Sequence, residues 1–184
     1  MIAPDREQFF ATVRSQLFGG SMAASEVAGV NAILAAWDAR VGIDPRFVAY
    51  SLATAFHETA KTMQPIEEIG HGAGRPYGKP TGPDGRIYFG RGFVQLTWLA
   101  NYQKVGSLIG VDLVDNPDLA LKPDIAAEIL TRGMVGGWFT GRKLGDYFAG
   151  ARSDWVDARR IINGVDKAAL IAGYALHFLH AIEG

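Results

Sequence analysis

The chain of 184 residues contains no cysteine, which excludes disulfides and thiolate metal sites and leaves the fold to its core alone. It lacks a charge excess: 18 basic against 19 acidic residues give a net charge of −1. No global basic field therefore argues for nucleic acid or an anionic membrane. It also lacks an apolar run near the roughly 18 residues of a membrane span. The longest candidates, 47–56 and 170–182, are too short or interrupted by polar residues. The opening residues, Met-Ile-Ala-Pro-Asp-Arg-Glu, place charge where a signal peptide needs an apolar core. The expectation is a protein made in the cytoplasm without its own export signal and with no stable membrane insertion. What remains is ordinary for a globular chain, 48 % apolar and 20 % charged.

Helical periodicity predicts a helix over 5–17, with Phe9, Phe10, Val13 and Leu17 on one stripe. A second starts near Ser25 as N-cap and carries Val27, Val30, Ile33, Leu34 and Trp37. Asp44-Pro45 is a strong start signal for a third. Its residues 47–56 hold only Ser51 and Thr54 as non-aromatic polar positions, which predicts a buried central helix. Phe47, Ser51, Thr54 and Glu58 step along one face, as a site wall would. Pro65 should end this helix by about Gln64. A glycine- and proline-rich loop follows over 70–86, ending in a turn at 82–85. Ile87–Phe89 and Phe93–Leu96 read as two short strands around Gly90-Arg91-Gly92. Helices are expected over 98–109, 124–139, 153–162 and 167–182, with Asn163-Gly164 as a C-cap pair between the last two. The sum is one domain of predominantly α-helical α+β class with a small β-hairpin.

The chemistry concentrates around Phe56-His57-Glu58-Thr59-Ala60-Lys61 and the pair Glu67-Glu68. A carboxyl at the end of an apolar helix and another in a wetter setting are what a general acid and base require. Were the helix to continue, Glu58 and Glu68 would lie ~15 Å apart, whereas an inverting glycosidase holds its carboxyls ~6.5–9.5 Å apart. A turn at Pro65 brings the second carboxylate back over a cleft. Neighbouring residues point different ways, so only one of Glu67 and Glu68 faces such a site. Lys61, three residues beyond Glu58, is a possible charge partner for it.

Competing constellations are weaker. His57-Glu58 is no zinc motif, because the fifth position of a His-Glu-x-x-His helix is Lys61. Gly90-Arg91-Gly92 lacks the spacing and the Lys-Ser/Thr of a phosphate loop. His177 and His180 share a helix face, which is a common arrangement at a core edge. No metal or organic cofactor is called for. Trp138, Phe139 and Trp155 read as core.

At Phe56-His57-Glu58-Thr59, Tyr88-Phe89-Gly90-Arg91-Gly92-Phe93-Val94-Gln95-Leu96-Thr97, Asn101-Tyr102, Val111-Asp112-Leu113, Asn116-Pro117-Asp118-Leu119 and Ile161-Ile162-Asn163-Gly164, the chain resembles glycoside hydrolase family 19. That family includes plant-type chitinases and many phage endolysins. The motifs span about residues 50 to 165, so the resemblance divides the single catalytic domain 1–184 into N-terminal helices (1–45), a family-like core (46–165) and a C-terminal helix (166–184). It implies a lysozyme-like, two-lobed fold and hydrolysis with inversion at the anomeric carbon. By position, Glu58 is implied as general acid and Thr97 as a holder of the attacking water. His57, Tyr88, Arg91, Gln95, Asn101 and Asn163 are implied as cleft or substrate-binding residues, with Arg91 alternatively structural. In relatives sharing Met-Gln-Pro the base falls at the second acidic position, which implies Glu68, with Glu67 as the alternative.

The chain departs from the plant pattern His-Glu-Thr-Thr-Gly-Gly, reading His-Glu-Thr-Ala-Lys-Thr, and its next glutamates come sooner. The cysteine-free, compact form is closer to phage and bacterial members. The resemblance therefore implies bacterial peptidoglycan as substrate, cut by a monomeric lysis enzyme that reaches the wall with a holin-type helper. Chitin is the alternative substrate, and a non-catalytic cell-wall-binding module of a phage particle is the alternative of another class.

Overall fold

The computed structural model describes residues 2, 5–81 and 83–184. Part of the turn expected at 82–85 (Gly82) and three residues of the charged N-terminus (1, 3 and 4) lie outside them.

Six α-helices dominate the described residues: α1 (Arg6–Leu17), α2 (Ala24–Asp38), α3 (Pro45–Glu58), α4 (Leu99–Ile109), α5 (Pro123–Gly136) and α6 (Ala168–Glu183). Two small antiparallel ladders join them: β1 (Ile66–Glu67) with β2 (Arg91–Gly92), and β3 (Phe148–Ala149) with β4 (Arg152–Ser153). The fold is α-rich α+β.

Helix α3 is the axis of the molecule. Asp44 caps it, accepting from the Arg46 backbone N–H at 2.9 Å, and Pro45 supplies a pre-set φ in the first turn. Every residue from Val48 to Phe56 is buried. A helix apolar on all sides needs partners on all sides. These are α6, which runs along it, together with α2 and α5. Phe56 sits in an aromatic nest of Phe18, Tyr174 and Phe178, with ring centroids 5.0, 4.9 and 6.1 Å away. The stripe expected to form a site wall is instead core. Ser51 is wholly buried and returns its hydroxyl to the Phe47 carbonyl at 2.8 Å, while the Thr54 hydroxyl is buried with no hydrogen-bond partner among the described residues.

Pro65 does not end α3. The helix stops at Glu58, in a Schellman closure: Lys61 N–H donates to Phe56 O (2.7 Å) and Ala60 N–H to His57 O (3.2 Å). Ala60, Lys61 and Met63 all take positive φ, at 50°, 72° and 52°. Thr59 holds this strained turn. Its buried hydroxyl donates to Ala55 O at 2.8 Å and accepts from Met63 N–H at 3.0 Å. From the other side α2 presses close through Gly29, where a Cβ would lie 1.6 Å from Met63 O.

Other boundaries also move. Helix α2 is capped at Ala23, not Ser25, with the Ala23 N–H donated to Glu26 Oε2 at 2.7 Å. Residues 87–89 and 93–96 do not pair with one another. Instead β2 pairs with β1 in the register Ile66↔Gly92 and Glu67↔Arg91, and residues 91–96 close as a turn through an Arg91–Leu96 bridge. Gly137 in left-handed conformation ends α5, leaving Trp138 and Phe139 beyond it. The stretch 153–162 contains the end of the β3–β4 hairpin and a 3-10 segment, Asp157–Ile161, rather than an α-helix.

Candidate active site

The Schellman turn leaves Glu58 at the C-terminal tip of α3, with its side chain 20 % exposed. Its partner is not Lys61. Arg159, from the 3-10 segment 101 residues later, donates through Nη1 to Glu58 Oε1 at 2.6 Å. This arginine is itself buried and anchored by its Nε–H to Asp166 O at 3.2 Å. Lys61 instead lies over the Phe56 and Tyr174 rings. His57 is half-buried beside Glu58.

The two later glutamates separate as neighbours in extended backbone must. Glu67 is exposed and pairs with His71 at 3.0 Å. Glu68 turns the other way and is held at both oxygens. Tyr77 donates its hydroxyl to Oε1 at 2.8 Å, and the Gly90 backbone N–H donates to Oε2 at 3.0 Å. The same bond to Glu68, helped by partial burial, pushes the Tyr77 phenol above its ordinary range. Gly90 is needed for this approach, because a Cβ there would lie 2.7 Å from Gln95 Oε1 and 3.2 Å from Glu68 Cβ. Gln95 and Glu68 thus flank one glycine. Gln95 is fixed by donating to Ile66 O at 2.9 Å.

Gln95, Thr97 and Asn101 line a hollow of about 140 Å³ with Phe139 and Ile162. Asn101 donates to Thr97 O at 2.9 Å, which ties the first turn of α4 to the segment before it. Ile162 directly follows the 3-10 segment that carries Arg159. Asn163 is next in sequence and exposed, its Oδ1 accepting from Gly164 N–H at 2.8 Å.

Two residues expected to touch substrate are placed elsewhere. Tyr88 is fully buried and donates its hydroxyl to Val114 O at 2.9 Å, so it presents no surface to a ligand. Arg91 is 5 % exposed. It donates to Asp118 Oδ1 at 2.9 Å and to the Ile87 and Phe89 carbonyls and the Tyr102 hydroxyl at 3.2–3.3 Å. Its guanidinium stacks 3.6 Å above the Phe89 ring. It forms a knot between β2, α4 and the Asn-Pro-Asp turn. Burial pushes the Tyr102 phenol, a member of that knot, up to about 12. A larger hollow of about 570 Å³ opens beside Arg91, and its lining includes none of Glu58, Glu68, Gln95, Thr97 or Asn101.

Arg159 and Tyr77 escape a reading of local pattern, whereas Thr59 and Gly90 stand inside the sequence motifs without a role that the pattern assigns. No cluster of three His, Asp or Glu poised for a metal occurs among the described residues, and His177 faces Gln16 Oε1 at 2.8 Å.

Comparison with known proteins bears on this arrangement. A family model described as class I chitinase matches residues 70–141, the stretch holding Tyr77, Gly90, Gln95, Thr97 and Asn101. Over that stretch the chain is similar to glycoside hydrolase family 19. Endochitinase 1 of Theobroma cacao is 58 % identical over 43 residues, 23 % of this chain. The match spans only 13 % of that protein's length. The fold likeness is wider. A family 19 class IV chitinase from Zea mays superposes with a TM-score of 0.63 at 19 % identity, covering 97 % of this chain and 92 % of that one. A bacterial family 19 chitinase gives 0.57 at 22 % identity, covering 96 % and 93 %. At such identities the structures establish the fold alone, a lysozyme-like one. No helix among the described residues is long and apolar enough to cross a membrane.

Proposed function

We propose that this protein hydrolyses β-1,4 glycosidic bonds of an N-acetylhexosamine polymer by single displacement with inversion, Glu58 acting as general acid and Glu68 as general base. The observation that carries this reading is that each of the two carboxyls is fixed in place by groups from distant parts of the chain. Arg159 grips Glu58 through Oε1. That leaves Oε2 to carry a proton to the glycosidic oxygen. Both oxygens of Glu68 accept hydrogen bonds, from the Tyr77 hydroxyl and the Gly90 N–H. A carboxylate so held takes a proton from a water without turning away from it. Thr97 and Gln95, on the segment that follows Gly90, supply polar groups to orient that water and the adjoining sugar. Asn101, Asn163 and His57 extend the polar rim. Glu67, exposed and paired with His71, takes no part.

Chitin and peptidoglycan both present a β-1,4-linked N-acetylglucosamine unit. The similar proteins named above are chitinases, so chitin is supported at least as well as the peptidoglycan that the compact, cysteine-free chain suggests. On a cell wall, the protein would act as a monomer and need a route across the membrane, such as a holin-type helper. Reducing-sugar release from chitin oligomers, run beside turbidity loss of permeabilised bacteria, tests the reading. Release from either substrate, abolished by Glu58→Gln in a folded protein, is the expected result. Normal rates in Glu58→Gln would overturn it.

A further inference from the structure

Among the described residues Trp98 is the only exposed aromatic side chain, at 48 %. Its backbone is strained: φ 69° with ψ 132° is a combination that side-chain-bearing residues rarely adopt. The surroundings enforce it. Trp98 N–H donates to Tyr88 O at 2.9 Å, and Trp98 O accepts from Asn101 and Tyr102 N–H at 3.0 and 3.1 Å. Tyr88 and Tyr102 are core residues, so a rigid frame holds the indole outward, where it shields no core. The ring lies edge-on to Tyr77, centroids 5.5 Å apart at 68°. Tyr77 in turn donates to Glu68. Strain that the interior imposes to expose an apolar ring beside a candidate base points to a ligand with an apolar face.

We propose that Trp98 is a sugar-stacking platform, the floor of a subsite next to Glu68 that takes the C–H face of one N-acetylhexosamine ring. The Tyr77 edge fixes the indole plane, and the Tyr77–Glu68 bond sets that plane relative to the candidate base. Pyranose rings present such an apolar face, and a flat indole matches it without needing to be ordered first. The proposal rests on the glycan-hydrolase reading given above.

The test separates the two. In a Glu58→Gln background, where turnover is blocked, binding of a chitin hexasaccharide and of a peptidoglycan glycan-strand fragment is measured by calorimetry. Trp98→Gly removes the ring and suits the local φ, while Trp98→Phe keeps a flat ring. Binding is expected to weaken roughly tenfold or more in Trp98→Gly and only about two- to threefold in Trp98→Phe. The thermal midpoint of Trp98→Gly should not fall, because backbone strain is relieved. Equal affinity of Trp98 and Trp98→Gly for the bound glycan would overturn the platform while leaving hydrolysis standing. If Glu58→Gln binds neither glycan and the unaltered protein releases no reducing sugar, the glycan reading itself fails and the platform with it.

Discussion

Arg159 Nη1 and Glu58 Oε1 lie 2.6 Å apart, joining the tip of the central helix to a short 3-10 segment 101 residues further along the chain. The arginine is buried and the glutamate 20 % exposed. Removing the cation leaves a half-buried carboxylate without its partner, and the Asp166 carbonyl without its donor. Arg159→Ala is expected to lose about 1–3 kcal/mol of stability, the exposed side of Glu58 tempering the larger cost of a fully buried pair. Initial rates should fall at least about tenfold. Chemical denaturation and reducing-sugar release read the two effects separately.

Glu67 and Glu68 offer a sharper contrast. Glu68→Gln should reduce kcat about 10²–10⁴-fold, the range a positioned acid or base contributes. Glu67→Gln, altering only an exposed contact to His71, should stay within about twofold. A reversed ranking in steady-state kinetics would move the base to Glu67.

Gly29 tests the strained turn behind Glu58. A methyl group there meets Met63 O at 1.6 Å and can be accommodated only by moving backbone. Gly29→Ala is expected to destabilise by about 1–3 kcal/mol, or roughly 2–10 °C in Tm, and to displace Glu58 at the helix tip. Ala60→Gly should act oppositely, easing a φ of 50° at an exposed Schellman position. Calorimetric melting curves of the two variants give the signs.

How much of this was legible beforehand varies with the range of the interactions. The Asp44-Pro45 start of α3 and its apolar run are local signals, and both were read correctly. The end of α3 was not. Pro65 was the visible breaker, but the real stop depends on Thr59, on positive φ at Ala60, Lys61 and Met63, and on Gly29 pressing from α2. Ser51 and Thr54 lie on the Glu58 face by spacing, yet a helix surrounded on all sides has no free face to give to a cleft. The β pairing failed for the same reason: Ile66–Glu67 reaches across more than twenty residues to Arg91–Gly92. Motif position singles out Glu58, Glu68, Gln95, Thr97 and Asn101, the residues on which the proposed site is built. It could not separate Tyr88 and Arg91, which hold the motif's shape from inside, from residues that face solvent. Arg159 carries no local signature, since an arginine in a polar stretch is unremarkable until the chain folds.

Asp44 carries a pH dependence. Burial alone would raise its pKa, but hydrogen bonds from the Arg46 side chain and backbone outweigh that and hold it below the ordinary 3.8. A depressed folded pKa contributes stability above the unfolded value, lost as pH falls through the folded one. Asp44→Ala should therefore be about 1 kcal/mol less stable near pH 7, with the gap closing below pH 3.8. Denaturant midpoints at both pH values measure it.

The pairing of Glu58 as acid with Glu68 as base through a water is tested most directly by the anomer first formed, followed by ¹H NMR during early hydrolysis of an N-acetylglucosamine oligomer. Attack by water on the face opposite the leaving group yields the α-anomer from a β-linkage, and this is the predicted product. First appearance of the β-anomer would show retention and contradict a base-activated water.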